Sequence, residues 1–117
     1  MMPVSLFPVL FPAWVTSTKS YWVTLAERRS LMPTISAFFG IVIRMYYGDH
    51  APAHFHALYQ GHEALIAIET MEVIAGDLPR RALELVFDWT ELHQQQLIEN
   101  WNRANEHMPL NNIDPLE

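Results

Sequence analysis

The sequence contains no cysteine among its 117 residues. This absence excludes disulfide bonds and metal sites built on thiolates. It is typical of proteins in a reducing compartment, and we predict a cytoplasmic location, although many exported proteins also lack cysteine.

The chain also lacks an excess of basic residues. Seven lysines and arginines face thirteen aspartates and glutamates, so the net charge is −6 with neutral histidines. This balance argues against broad electrostatic binding to nucleic acid or to an acidic membrane, but it leaves room for a small local basic site. Half of the residues are hydrophobic, which is enough for the core of one domain.

No apolar run is long enough to cross a bilayer. The longest, residues 4–15, is short and is cut by Pro8 and Pro12. Basic residues follow this run instead of preceding it, which is not the pattern of a secretory signal. We therefore predict no membrane partner.

Residues 1–31 differ from the rest of the chain, and we predict that they are a leader outside the native protein. Met32, Pro33 and Thr34 resemble a true protein start, and codons for the preceding Glu27, Arg28 and Arg29 can contain a purine-rich ribosome-binding sequence. The alternative is a flexible segment or short helix over 20–31. Residues 32–117 are expected to form a single α+β domain.

Strand signals begin after Phe38. The β-branched and aromatic residues 41–47 predict a first strand, followed by strands over 54–60, 63–69 and 72–74. Short connections, including one at Gly61 and His62, allow only antiparallel pairing. The expected sheet is an antiparallel meander of three to four strands.

After residue 78 the apolar residues recur with the spacing of a helix. Pro79 suits the first helical position, with Asp77 or Leu78 as the N-cap. Two apolar stripes follow, one with Trp89 and one with Trp101, and residues 92–94 between them indicate a break. Two C-terminal helices packed on one face of the meander would make a two-layer α+β domain.

The stretch GDHAPAHFH, residues 48–56, carries the H-x3-H-x-H pattern that bears most on function. Strand alternation places His54 and His56 on the open face of the sheet, in water beside Arg44. An imidazole can transfer protons and an arginine can hold a phosphate, as metal-free RNA cleavage requires. The candidate catalytic residues are therefore His54, His56 and Arg44. Candidate binding residues are Tyr46, Asp49, His50, Glu69, Arg80 and Arg81. This interpretation needs no cofactor.

Two other interpretations remain open. Imidazoles at i and i+2 on a strand can share a metal ion, so His50, His54 and His56 are the candidate ligands, with Asp49 as another ligand that could complete the set. The spacing matches no strong zinc motif. Alternatively, the two strand histidines cap the turn by hydrogen bonds in a structural or regulatory domain without chemistry of its own.

Several segments resemble a known family. They are MPTIS, FFGIVIRMYY, DHAPAHFHALY, EALIAIET, GDLPRRALELVFDWTELHQQQLIENW and IDPL, which together cover nearly all of residues 32–116. They are similar to the bacterial domain-of-unknown-function family 4160, whose turn usually reads D-H-x-P-P-H-F-H. Ala53 replaces the second proline here.

The resemblance implies a small cytoplasmic bacterial protein encoded beside a second small domain, as in toxin–antitoxin pairs. We therefore expect a partner-binding member of such a two-gene module, whose partner is the small protein from the neighbouring gene. RNA is the further expected target. The resemblance carries over no catalytic residue.

Overall fold

The computed structural model describes residues 32–117, and the predicted leader over 1–31 lies outside the described residues. Five strands precede two helices along this part of the chain. The elements are β1 (Thr34–Phe38), β2 (Ile41–Arg44), β3 (His54–Tyr59), β4 (His62–Ala67), β5 (Val73–Gly76), α1 (Arg80–Leu92) and α2 (Gln94–Asn105). The predicted α+β class, with a meander followed by two C-terminal helices, is confirmed.

The strands form one antiparallel sheet in sequence order. Strand β1 was not predicted, although Thr34, Ile35 and Phe38 are residue types that favour strands. It pairs with β2 through a tight turn in which Phe39 and Gly40 both have positive φ, 52° and 81°. Two residues with positive φ are what a twisted two-residue hairpin requires. The sheet therefore has one strand more than expected.

The β3–β4 turn also lies one residue earlier than predicted. Gln60 and Gly61 hold its two positive-φ positions, and His62 already belongs to β4. The resulting register pairs Tyr59 with His62 and Phe55 with Ile66. This register decides which β4 side chains stand beside the histidines of β3.

The two helices are separated at His93, as the break in the apolar stripes predicted. Helix α1 begins later than expected, because Pro79 is its N-cap and not its first helical residue. The Pro79 carbonyl accepts the first helical bond from the Leu83 N–H, at 2.9 Å, while its own backbone is extended. In the described part of the chain, neither helix has the length and apolarity needed to cross a bilayer.

The core lies between one sheet face and the helices. Trp89 is fully buried at its centre, with its ring centroid 5.4 Å from that of Phe38 and 5.7 Å from that of Phe55. Its indole N–H donates to the Asp114 carbonyl at 2.8 Å, which satisfies the one polar atom of the side chain. Trp89 and Trp101, which belong to the two predicted apolar stripes, are both buried in the core.

Candidate metal centre

The loop between β2 and β3 positions a carboxylate over the first residues of β3. Gly48, with φ of 68°, allows the chain to turn back before Asp49. Asp49 Oδ1 accepts a hydrogen bond from the His50 backbone N–H at 2.9 Å, which is the local bonding that aspartate makes in turns. Its second carboxylate oxygen, Oδ2, points toward the sheet.

Two imidazoles of β3 meet this second oxygen. Since His54 and His56 are two residues apart on a strand, their rings project from the same face. Asp49 Oδ2 lies 3.0 Å from Nε2 of His54 and 3.2 Å from Nε2 of His56. One ligand atom from each of the three residues fits within a span of 4.8 Å. We call Asp49, His54 and His56 the triad.

The Nδ1 atoms of both rings also contact oxygen atoms of the protein. His54 Nδ1 lies 2.8 Å from the Pro52 carbonyl oxygen, and His56 Nδ1 lies 2.8 Å from Oε2 of Glu63. Carbonyl and carboxylate oxygens only accept, so both Nδ1 atoms carry a proton. In its neutral form each ring then presents the lone pair of Nε2 to Asp49.

The triad histidines are buried, and the prediction that their rings project into water is wrong. His54 and His56 are only 6% and 7% exposed. The His54 ring centroid lies 5.3 Å from that of Trp101 on α2, and Tyr46 stacks on His56 with centroids 4.2 Å apart. Strand alternation places both rings on one face of the sheet, but it contains no information on the groups that cover that face.

The triad perturbs its own protonation. Burial alone would raise the pKa of Asp49, but hydrogen bonds from His54, His56 and the His50 backbone outweigh it and hold that pKa far below its ordinary value. The hydrogen bond to Asp49 raises the pKa of His54, with help from the Pro52 carbonyl and against the effect of burial. Without a bound cation, a proton retained on His54 balances the charge of the carboxylate.

Two further predicted residues lie beside the triad. Arg44 is the direct cross-strand partner of His56, and Tyr46 covers the His56 ring. Burial raises the pKa of Tyr46, and the negative charges of Glu63 and Asp49 add to this while Arg44 opposes it. The Tyr46 hydroxyl therefore stays protonated at neutral pH.

Four predicted site residues lie outside the triad. His50 is exposed and contributes only its backbone N–H, so the predicted ligand set of three histidines is not brought together. Glu69 is exposed in the turn after β4. Arg80 and Arg81 are exposed on α1, where both pair with Glu84 at 3.6 and 3.3 Å. Glu84 on the same helix is therefore an anionic partner of both arginines.

Sequence reasoning missed Glu63, whose carboxylate holds the His56 ring. Alternation did place Glu63 on the face of β4 that matches the histidines. The missing step was the register, which follows from the two-residue turn at Gln60 and Gly61 and sets Glu63 opposite Leu58. A correct assignment of that turn would have identified Glu63.

The spacing of the triad fits a first-row metal ion. Bonds of about 2.0–2.2 Å to nitrogen and oxygen place adjacent ligands roughly 2.8–3.1 Å apart in octahedral geometry and roughly 3.3–3.6 Å apart in tetrahedral geometry, so the range is roughly 2.8–3.6 Å. The two nitrogen-to-oxygen separations of 3.0 and 3.2 Å fall in this range. The hydrogen bonds at both Nδ1 atoms also match the outer-shell acceptors that usually orient metal-binding imidazoles.

Fold and site together define a small α+β domain with two histidines and one carboxylate converging at the start of a central strand. Residues 40–102, more than half of the chain, match the family described as domain of unknown function DUF4160. The chain therefore belongs to this family, as the motifs predicted. No curated protein and no solved structure matches the chain.

Proposed function

We propose that this protein binds a divalent first-row transition metal ion through Asp49 and the Nε2 atoms of His54 and His56. The observation that carries the proposal is the convergence of both Nε2 atoms on one carboxylate oxygen, at 3.0 and 3.2 Å, while an acceptor fixes each Nδ1 proton.

Electrostatics support a cation at this point. With neutral rings, two nitrogen lone pairs and a carboxylate oxygen face one another in a largely buried site, which is unfavourable unless a positive charge lies among them. Either extra protons or a metal ion can supply that charge. A divalent ion would match the two negative charges of Asp49 and Glu63.

The ligand types restrict the choice of metal. Two imidazole nitrogens and one carboxylate oxygen favour Zn²⁺, Fe²⁺, Co²⁺ or Ni²⁺ over Mg²⁺ and Ca²⁺, which prefer oxygen ligands. Three protein ligands leave at least one coordination position open, as in catalytic centres and unlike closed structural zinc sites. The proposed site can therefore bind a water molecule or a further ligand.

The geometry gives less support to metal-free RNA cleavage. Both rings are buried and direct Nε2 toward Asp49 instead of toward solvent, so a substrate as large as RNA has no open access to either imidazole. The RNA target, the partner from a neighbouring gene, the two-gene module and the cytoplasmic location stay predictions from the sequence.

Metal binding can be tested by calorimetric titration of the untagged, chelator-treated protein with Zn²⁺, combined with elemental analysis of the purified protein. We expect one ion per chain in the wild type and loss of binding in His54→Ala. The matched control is His62→Ala, which removes an exposed imidazole at the start of β4.

Asp49→Asn provides a second variant of nearly unchanged shape, and circular dichroism checks that each variant is folded. Failure of the wild type to bind an ion, or binding by folded His54→Ala and Asp49→Asn with wild-type affinity, would show that the triad is not a metal site. The hydrogen-bonded structural interpretation would then stand.

A further inference from the structure

Arg44 is the charged residue beside the triad whose own role the metal site does not explain. It is the last residue of β2 and pairs directly with His56 across the sheet, which places the two side chains on the same face with Cβ atoms about 5 Å apart. Its guanidinium Nε is buried without a hydrogen-bond partner. Within residues 32–117 the guanidinium forms no ion pair with a carboxylate.

A buried guanidinium N–H without an acceptor disfavours folding, because its hydrogen bond to water is lost and not replaced. Such a donor in a half-buried side chain calls for an explanation, and a ligand that supplies the acceptor is one. Arginine presents its donors in a planar fork that matches two oxygens of a phosphate or carboxylate group. Arg44 is therefore suited to receive an oxyanion from outside the chain.

A groove on the same sheet face offers space for such a ligand. Its volume is about 360 Å³, and Arg44 and Glu63 line it together with apolar residues, among them Val42 and Leu58. Glu63 also accepts a hydrogen bond from the His56 ring, so this residue lines the groove and contacts a member of the triad. A ligand in this groove would contact Arg44, the cross-strand neighbour of the proposed metal ligand His56.

The balance of charge at the site favours an anion, and the charge of the whole chain limits its size. With a divalent ion bound, the metal and Arg44 carry one positive charge more than Asp49 and Glu63 together. The chain as a whole has a net charge of −6, which repels a long polyanion. A small ligand with one anionic group meets both conditions.

We propose, resting on the metal-binding function above, that Arg44 and the open coordination position of the metal together bind the oxyanion group of a small ligand. The shared chemistry is a phosphate ester or a carboxylate. One oxygen would face the metal while Arg44 donates to the others, and the apolar wall of the groove would contact the remainder of the molecule.

The test uses protein loaded with Co²⁺, whose visible absorption responds to a change of ligand. Inorganic phosphate and acetate are titrated in separate arms, which distinguishes the two oxyanion classes. We expect a saturable spectral change in the wild type with at least one of them. Arg44→Gln should keep the Co²⁺ affinity and bind the anion roughly tenfold or more weakly, because a charge-assisted hydrogen bond is lost.

Arg103→Gln is the matched control, since Arg103 lies on α2 and pairs with Glu99. It should titrate like the wild type. Arg44→Lys should fall between wild type and Arg44→Gln, because it keeps the charge and loses the fork. If Arg44→Gln does not fold, weaker anion binding by Arg44→Lys, with unchanged Co²⁺ affinity, tests the role of Arg44 in its place.

The outcomes separate the two proposals. No Co²⁺ binding by the wild type would overturn the metal site and, with it, this inference. Normal Co²⁺ binding without a response to either anion, or with equal anion affinity in wild type and the folded Arg44 variants, would overturn the role of Arg44 alone.

Discussion

Strand β3 is buried on both of its faces, but by different partners. On one face Phe55 is fully buried against Trp89, inside the apolar layer between sheet and helices. On the other face His54 and His56 are 6% and 7% exposed, and they are covered by a carboxylate and two aromatic rings. Adjacent residues of one strand therefore lie in opposite kinds of environment.

The comparison shows which part of the molecule maintains the fold and which part is available for chemistry. Burying an apolar ring stabilises the fold by roughly 25 cal/mol for each Å² removed from water. Burying imidazoles and a carboxylate is favourable only while they satisfy one another. The polar face therefore depends on a few specific contacts that a metal ion, a proton or a substitution can change.

The largest expected effect is on the apolar face. Phe55→Ala should lower the free energy of unfolding by about 3–5 kcal/mol, because it removes a buried ring beside Trp89 and leaves a cavity. Urea denaturation measures this. Phe39→Ala, which truncates a phenylalanine that is 59% exposed, is the control and should cost under about 1 kcal/mol. Equal losses would mean that the apolar face is not the stabilising one.

On the polar face, Asp49→Asn should destabilise the metal-free protein by about 1–3 kcal/mol, because it removes the charge that both Nε2 atoms approach. Urea denaturation in the presence of a chelator measures the loss. Asp77→Asn, at an exposed position before α1, should change stability little. If the two variants are equally stable, the triad contributes nothing to the fold without metal.

The next largest effect concerns the contact of His56 with Glu63, as distinct from its contact with Asp49. Glu63→Gln keeps an acceptor for Nδ1 but removes its charge, so we expect roughly tenfold weaker Zn²⁺ binding. Calorimetric titration measures the affinity, with the exposed Glu72→Gln as control. Unchanged affinity in Glu63→Gln would indicate that this carboxylate does not tune the metal ligand.

The smallest predicted effect is the pH dependence of the metal-free protein. Folding lowers the pKa of Asp49 from its ordinary 3.8, so its contribution is present above that pH and is lost as the solution becomes more acidic. Folding raises the pKa of His54 from 6.5, so its contribution is complete below 6.5 and is lost as pH rises through the folded value.

Thermal unfolding in the presence of a chelator should therefore show the contribution of the triad at its maximum between pH 3.8 and 6.5. His54→Ala should flatten the loss on the alkaline side. With saturating Zn²⁺ the trend should reverse toward neutral pH, because the metal competes with protons for the imidazoles. A wild-type profile identical to that of His54→Ala would contradict the assignment.

Local patterns in the sequence predicted much of the fold. Alternation in the strands, the period of the helices and the break near His93 all describe the structure. The unpredicted β1 depends mainly on its pairing with β2 and on the Ile113 N–H, which donates to the Ile35 carbonyl at 2.8 Å. The Ile113 contact joins residues that local pattern cannot connect, whereas the hairpin with β2 is local and its turn at Phe39 and Gly40 was not assigned.

In the candidate site too, some features follow from the local sequence and others depend on the tertiary structure. Two histidines at i and i+2 on a strand must share a face, so their proximity follows from backbone geometry alone. The choice of Asp49 over His50 depends on the conformation of one loop, and the contribution of Glu63 depends on the register between two strands. The loop conformation could not be read from the sequence, whereas the register follows once the two-residue turn at Gln60 and Gly61 is assigned.

The sequence by itself determined that this chain would form an antiparallel sheet followed by two helices, because side-chain periodicity and turn residues act over a few positions. It also determined that two imidazoles and Arg44 would stand on one side of that sheet. Only the tertiary structure decided that these rings are covered by Tyr46 and Trp101, and that a carboxylate from the preceding loop meets both. The contact with Trp101 joins segments distant in sequence, and the approach of Asp49 depends on a loop conformation that forms only when the chain has folded.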